Sequence, residues 1–112
     1  SWIDPTSLAN AAKYIHEATG KPVMVTEHGL ATDDDAQRAA FLEASLTHLA
    51  DSVNNGLPLL GYIHWTLLDN FEWVHGYTIR FGLCEVNRTT YERMPKPSAL
   101  HYRELVKKYR NQ

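Results

Sequence analysis

Two stretches of the chain carry side chains suited to chemistry. Val25-Thr26-Glu27-His28-Gly29 ends a β-prone run on a carboxylate, and Trp65-Thr66-Leu67-Leu68-Asp69-Asn70-Phe71-Glu72-Trp73 sets carboxylates between indoles. A carboxylate accepts hydroxyl hydrogen bonds or attacks a carbon centre, and an indole face packs on an apolar ring; together they suit the gripping and attack of a sugar. In both stretches a run suited to a buried strand gives way to a polar, aromatic-rich segment, and strand ends of that kind are where barrel folds keep their chemistry. The reaction these residues suggest also needs a second catalytic carboxylate. Glu27 is a good candidate for one of the pair, and no convincing second is found in the sequence.

The elements that must hold these residues follow from spacing. Asp4-Pro5 before apolar Leu8, Ala11, Ala12 and Ile15 predicts a helix with an N-cap and a first-turn proline, closed by Gly20. Pro22 then introduces Val23, Met24 and Val25, a short run without alternation, as expected of a parallel strand buried on both faces, with Glu27 just past its end. From Ala36 to Asn54, Phe41, Leu42, Ser45, Leu46, Leu49 and Val53 trace one face of a long helix that Gly56 stops. Leu59 to Trp65 reads as a second strand, completing a βαβ crossover. Tyr77 to Val86 reads as extended, Asn87 to Thr90 as a turn, and Ser98, Tyr102, Leu105, Val106 and Tyr109 as a final helix with a basic end suited to its dipole. No internal repeat or linker interrupts the chain.

With 112 residues, 44% hydrophobic content and a net charge of −2, there is room for one domain at most. The charge suggests no nucleic-acid partner, and no apolar run approaches the ~18 residues of a membrane span. The lone Cys84 forbids an internal disulfide and reads as a small core residue. The chain does not begin with methionine, so targeting signals are not legible in it; a cytoplasmic location is the default expectation. Two parallel strands make no self-sufficient sheet, because both outer edges present unpaired backbone groups. The fold therefore reads as incomplete, to be finished by other chains or by a missing segment of a longer one.

In its motifs the chain resembles the C-terminal part of a glycoside hydrolase family one β-glucosidase. Thr26-Glu27-His28-Gly29 is similar to the family's Thr-Glu-Asn-Gly motif, and Trp65 to Trp73 resembles its tryptophan-to-Glu-Trp signature. Gly76-Tyr77, Arg80-Phe81-Gly82-Leu83 and Pro95-Lys96-Pro97-Ser98 continue the likeness in the family's order and spacing. The resemblance implies an α/β fold, the C-terminal part, about two βα units, of a (β/α)8 TIM barrel. Residues 1–112 would supply helix six, strand seven, helix seven, strand eight and helix eight.

The same resemblance implies the site. Glu27 would be the nucleophile of a retaining double displacement. Trp65 would lie beneath the sugar, Glu72 and Trp73 would meet its hydroxyls, and Phe81 would line the pocket. Glu72 stands where relatives acting on 6-phosphorylated sugars carry a smaller residue, so an unphosphorylated β-D-glucoside or related small saccharide is the implied substrate. No cofactor or metal is implied. The expected partner is the missing N-terminal barrel segment, or other chains completing the barrel, with neither nucleic acid nor membrane.

Two departures qualify the likeness. His28 replaces the asparagine that usually follows the nucleophile and would set a titratable ring beside Glu27. The acid/base glutamate of an Asn-Glu-Pro motif, with the early-barrel residues that hold the sugar, falls outside these residues, so the chain alone should be inactive or nearly so. The bland reading of Glu27 is a strand-end carboxylate pairing with a neighbouring lysine or helix. A rival for the whole chain is a non-catalytic carbohydrate-binding or interaction fragment of the same fold that keeps Trp65, Glu72 and Trp73; an intact Glu27 counts against it.

Elsewhere the sequence reads as structural. The six histidines show neither His-Glu-x-x-His spacing nor a Cys/His cluster, so no metal ligands are assigned. Asp33, Asp34 and Asp35 stand where carboxylates cap a helix. Asn87-Arg88-Thr89 is a sequon in a predicted turn, meaningful only in a secreted eukaryotic protein.

Overall fold

A computed structural model describes residues 3–110. The elements run α1 (Ser7–Thr19), β1 (Val23–Val25), α2 (Asp35–Asn54), β2 (Leu59–Tyr62), a 3-10 turn (Trp73–His75), β3 (Cys84–Val86), β4 (Arg93–Pro95) and α3 (Pro97–Tyr109). Strands β1 and β2 pair in parallel, with Val25 opposite Tyr62, and α2 is the crossover between them. Buried Ala12, Val23, Val25, Leu42, Leu46, Leu49, Leu57 and Leu105 form one core, which brings all three helices onto one face of this two-stranded sheet. No helix among the described residues is long and apolar enough to cross a membrane.

The other face of the sheet is bare. Met24, opposite Gly61, is 46% exposed, and Ile63 is exposed as well. The expectation of a strand buried on both faces is met on only one of them, because the described residues provide no layer for the second.

Several boundaries differ from the periodicity reading, each for a local reason. The first helix begins at Ser7; Asp4 lies ahead of it, where its carboxylate accepts from the Thr6 N–H at 2.9 Å and hydroxyl at 2.6 Å. In that helix Ala9 and Ala12 are buried while Ile15 is half-exposed, so the buried stripe is narrower than predicted. Strand β2 ends at Tyr62 rather than Trp65; the Ile63 and Trp65 N–H groups still bond the Val25 and His28 carbonyls at 2.8 Å, and from Thr66 the chain pairs with residues 81–84 instead. Within Tyr77 to Val86 only Cys84–Val86 is a strand; the stretch before it is coiled into turns, with the Thr78 hydroxyl on the His75 carbonyl at 2.6 Å. Strand β4, antiparallel to β3, is exposed, charged and ends on a proline, so it leaves no alternating pattern to read. The turn at Asn87 is as predicted: its Oδ1 accepts the N–H groups of Thr89 and Thr90.

Two of the three aspartates cap helices, while Asp33 only approaches Arg80 at 3.9 Å. Asp34 caps α2, accepting the Gln37 N–H at 3.2 Å. Asp35 instead caps α3, taking the Ser98 N–H at 2.8 Å and its hydroxyl at 2.6 Å, and also holds Arg38. Burial pulls the Asp35 carboxyl upward, but Ser98 and Arg38 outweigh it and hold the group below the usual carboxylate range. The helices α2 and α3 are thus tied together by one carboxylate, which satisfies the otherwise free Ser98 N–H in the first turn of α3.

Candidate active site

Glu27 stands two residues past the end of β1 and is exposed. Among the described residues no ion pair engages it, so the pairing that a structural glutamate would make is not found. The segment that bears it lies directly on the segment that bears Trp65. The Trp65 N–H donates to the His28 carbonyl at 2.8 Å, and a Cβ on Gly29 would come within 1.8 Å of the Trp65 carbonyl oxygen. Only glycine permits that approach. Trp65 itself is 38% exposed and precedes a cis peptide bond to Thr66.

Beyond Trp65 the chain runs beside the backbone of residues 81–84. Leu83 N–H bonds the Thr66 carbonyl, Cys84 N–H the Leu67 carbonyl and Asp69 N–H the Cys84 carbonyl, at 2.8 to 3.0 Å. Phe81 is set against the Gly29 approach, 3.6 Å from where its Cβ would stand. Asp69 then anchors the loop: its carboxylate accepts the Gly82 N–H at 2.8 Å and pairs with Lys96 at 3.0 Å, while its carbonyl accepts Arg88. A Cβ at Gly82 would fall 2.3 Å from the Asp69 nitrogen, so here too the contact requires glycine. Arg88 also lies over the Tyr77 ring at 4.4 Å, and Tyr77 meets Phe71 edge-on.

These anchors hold the tip of the loop, where Glu72 and Trp73 sit. The Glu72 N–H bonds the Gly76 carbonyl at 2.7 Å, closing a tight turn. Trp73 has φ +51°, an unusual value for a bulky residue, and its side chain is 83% exposed. Glu72 is half-buried, and its Oε2 is buried with no hydrogen-bond partner among the described residues. An unsatisfied carboxylate oxygen beside a strained, open tryptophan is a place where donor hydroxyls would be welcome.

His28 does not act as its place in the sequence suggested. Its ring turns to the helix side, stacked on Phe41 of α2 at 5.2 Å, with Nδ1 2.8 Å from the Tyr62 hydroxyl. Burial pushes its pKa down, which keeps the ring neutral rather than leaving a titrating group beside Glu27. Sequence reasoning also missed Arg38. At 1% exposure it is the most buried charge of the crossover helix, donating to the Thr32 and Arg80 carbonyls and to Asp35, and so fixing the loop that follows Glu27. Its helical position gave no hint, since arginine in an amphipathic helix ordinarily faces water. Tyr62, His64, Asp69 and Lys96 were likewise not singled out; only their places within or beside the recognised motifs could have drawn attention to them. No group of three or more His, Cys, Asp or Glu able to hold a metal ion occurs among the described residues.

Comparison with known proteins gives a single answer. The family profile described as Glycosyl hydrolase family 1 matches residues 1–111. Beta-glucosidase 1 of Oryza sativa subsp. japonica is 39% identical over 117 residues, covering 94% of this chain and 22% of that protein. A beta-galactosidase of Sulfolobus acidocaldarius is 41% identical over 88 residues, covering 79% and 18%. Among solved structures, the apo structure of a beta-glucosidase designated 1317 superposes with a TM-score of 0.91 at 43% identity, over 95% of this chain and 26% of that one. The chain therefore spans about a quarter of the length of the relatives it matches, and its fold is the corresponding part of a barrel.

Proposed function

Because the chain belongs to glycosyl hydrolase family 1, we propose that it is the portion of a retaining β-glycosidase that carries the nucleophile, Glu27. In this reading α1 is helix six of the barrel, β1 strand seven, α2 helix seven, β2 strand eight and α3 helix eight. The bare sheet face and free strand edges are where the rest of the barrel docks.

The Glu27 carboxylate attacks the anomeric carbon while the bond to the aglycone oxygen breaks, and that oxygen takes a proton from a carboxylic acid elsewhere in the barrel. Water, deprotonated by the same group, then cleaves the glycosyl ester and regenerates Glu27. Trp65 carries the apolar face of the sugar, and Glu72 with Trp73 fixes its hydroxyls. The charge of Glu72 disfavours a 6-phosphate, so the substrate is an unphosphorylated β-D-glucoside or its galactose counterpart. No step requires a cofactor or metal. The observation that carries the reading is the backbone junction of Trp65 with His28 and Gly29, which sets the Glu27 segment directly against the sugar platform. The unpartnered Oε2 of Glu72 supports it.

Without the acid, catalysis loses about 10²–10⁴-fold from that group alone, and the isolated chain is expected to be inactive. The test is incubation with a 2-deoxy-2-fluoro β-glucoside, which traps the glycosyl ester, followed by intact mass and peptide mapping. No label on the isolated chain, and label on Glu27 once the rest of the barrel is supplied, is the expected result. Absence of label in both cases, with sugar still bound, would leave a carbohydrate-binding fragment as the answer.

A further inference from the structure

Three side chains outside the proposed contacts with the sugar form a continuous hydrogen-bonded chain on the helix side of the sheet. The Tyr62 hydroxyl lies 2.8 Å from Nδ1 of His28 and 3.1 Å from Nδ1 of His64. His28 directly follows Glu27, and His64 directly precedes Trp65. One phenol oxygen therefore ties the residue after the proposed nucleophile to the residue before the proposed sugar platform. The neighbouring helices hold the group from behind: His28 stacks on Phe41 of α2, and His64 lies 5.5 Å from the ring of Tyr102 of α3.

Proton counting makes the arrangement definite. A phenol has one proton to give, so it donates to one imidazole Nδ1 and must accept an N–H from the other. The two rings are then neutral and of opposite tautomers. Burial favours neutrality in both, with the nearby His28 and Arg38 adding to the effect at His64. The Nε2 atoms of both rings are buried and unpartnered among the described residues, so the bonds to Tyr62 are the side-chain hydrogen bonds these imidazoles have.

We propose that Tyr62 is a positioning residue, whose hydroxyl, bridging His28 and His64, fixes the strand end bearing Glu27 against the segment bearing Trp65. This rests on the reading of Glu27 as nucleophile. Displacement of a reacting group by 1 Å can cost on the order of 10²-fold in rate. Tyr62→Phe removes only the bridging oxygen, and the sugar contacts themselves stay in place.

Two measurements on the complete enzyme, chain plus the rest of the barrel, test the proposal. In the first, the kinetics of labelling by the 2-deoxy-2-fluoro β-glucoside are followed for wild type, Tyr62→Phe and His28→Asn. The first-order labelling constant is expected to fall about tenfold in Tyr62→Phe, with the reagent's binding constant little changed. His28→Asn, whose amide can still meet the phenol, is expected to keep most of the wild-type rate. In the second, ¹⁵N-histidine NMR of the wild type reads the tautomers, with opposite tautomers expected for His28 and His64.

Wild-type labelling speed in Tyr62→Phe, or the same tautomer at both histidines, overturns the proposal while leaving the nucleophile standing. A wild-type enzyme that labels nowhere removes the reading of Glu27 and the proposal with it.

Discussion

The two halves of the molecule are held together by different physics. Around β1, α2 and β2 the chain is fixed by apolar burial: Val23, Val25, Leu42, Leu46 and Leu49 pack into one core with Leu105 of α3. From residue 66 to residue 96 little is apolar and buried except Leu83 and Cys84, and the chain is fixed by polar side chains aimed at backbone, chiefly Asp69, Lys96 and Arg88. The first half packs the strand that leads to Glu27 against a core; the second is the loop that bears Glu72 and Trp73, the proposed contacts with sugar hydroxyls. A scaffold tolerates conservative change because burial is non-directional, whereas a loop clamped by specific hydrogen bonds does not.

The contrast can be broken from either side in the complete enzyme. Leu42→Ala removes a fully buried side chain of the scaffold and should lower stability by about 2–5 kcal/mol, read from denaturant unfolding, while leaving the affinity for sugar unchanged in the folded fraction. Asp69→Ala strands Lys96 and the Gly82 N–H in a largely buried setting and should cost about 3 kcal/mol. In contrast to Leu42→Ala, it should also weaken sugar binding, because the loop bearing Glu72 loses its anchor; equal affinity in the two variants would dissolve the distinction.

A smaller effect comes from the histidines between the halves. The folded-state pKa of His64 is held down at about 4 against an ordinary 6.5, and that of His28 is also lowered. The unfolded chain therefore takes up protons that the folded one refuses. The stability His64 lends is complete above about pH 6.5 and is lost as pH falls toward 4, with a slope of at most ~1.4 kcal/mol per pH unit that solvent screening reduces; His28 acts in the same direction. Unfolding titrations of wild type and His64→Phe should diverge in that window and run parallel above it. Smallest of all, Asp34→Ala removes the cap of α2 and should cost about 1 kcal/mol by the same unfolding measurement, with no change in sugar affinity.

The same contrast explains what the sequence revealed. Elements built on apolar periodicity were legible: β1, α2 and α3 fall within a residue or two of their predicted limits, and the incompleteness of the sheet followed from counting strands. The span 66–96 has no period to read. Its strands β3 and β4 are short, and the second is exposed and charged, so only the motifs from Trp65 to Leu83 marked it as ordered. Arg38 was illegible for a related reason, since backbone acceptors such as the Arg80 carbonyl leave no trace in residue type; Asp35 was legible as a cap, but its partner Ser98 is distant in sequence, so the helix it caps was not. The residues proposed to carry the chemistry stand out by motif, whereas the direction of the His28 ring does not. Whether that ring faces Glu27 or Tyr62 depends on how the chain leaves the strand after Val25.

The central claim, that Glu27 is the group that attacks the sugar, is tested most directly by Glu27→Gly in the complete enzyme, supplied with an aryl β-glucoside and azide. Removing the nucleophile should lower turnover on the order of 10⁴-fold or more. Azide in the vacated space should then attack the anomeric carbon from the α face as the aryl group leaves. The account predicts restored turnover with α-glucosyl azide as the product. Rescue giving β-glucosyl azide would assign Glu27 to the acid/base role, and a variant that hydrolyses at the wild-type rate would remove it from the chemistry altogether.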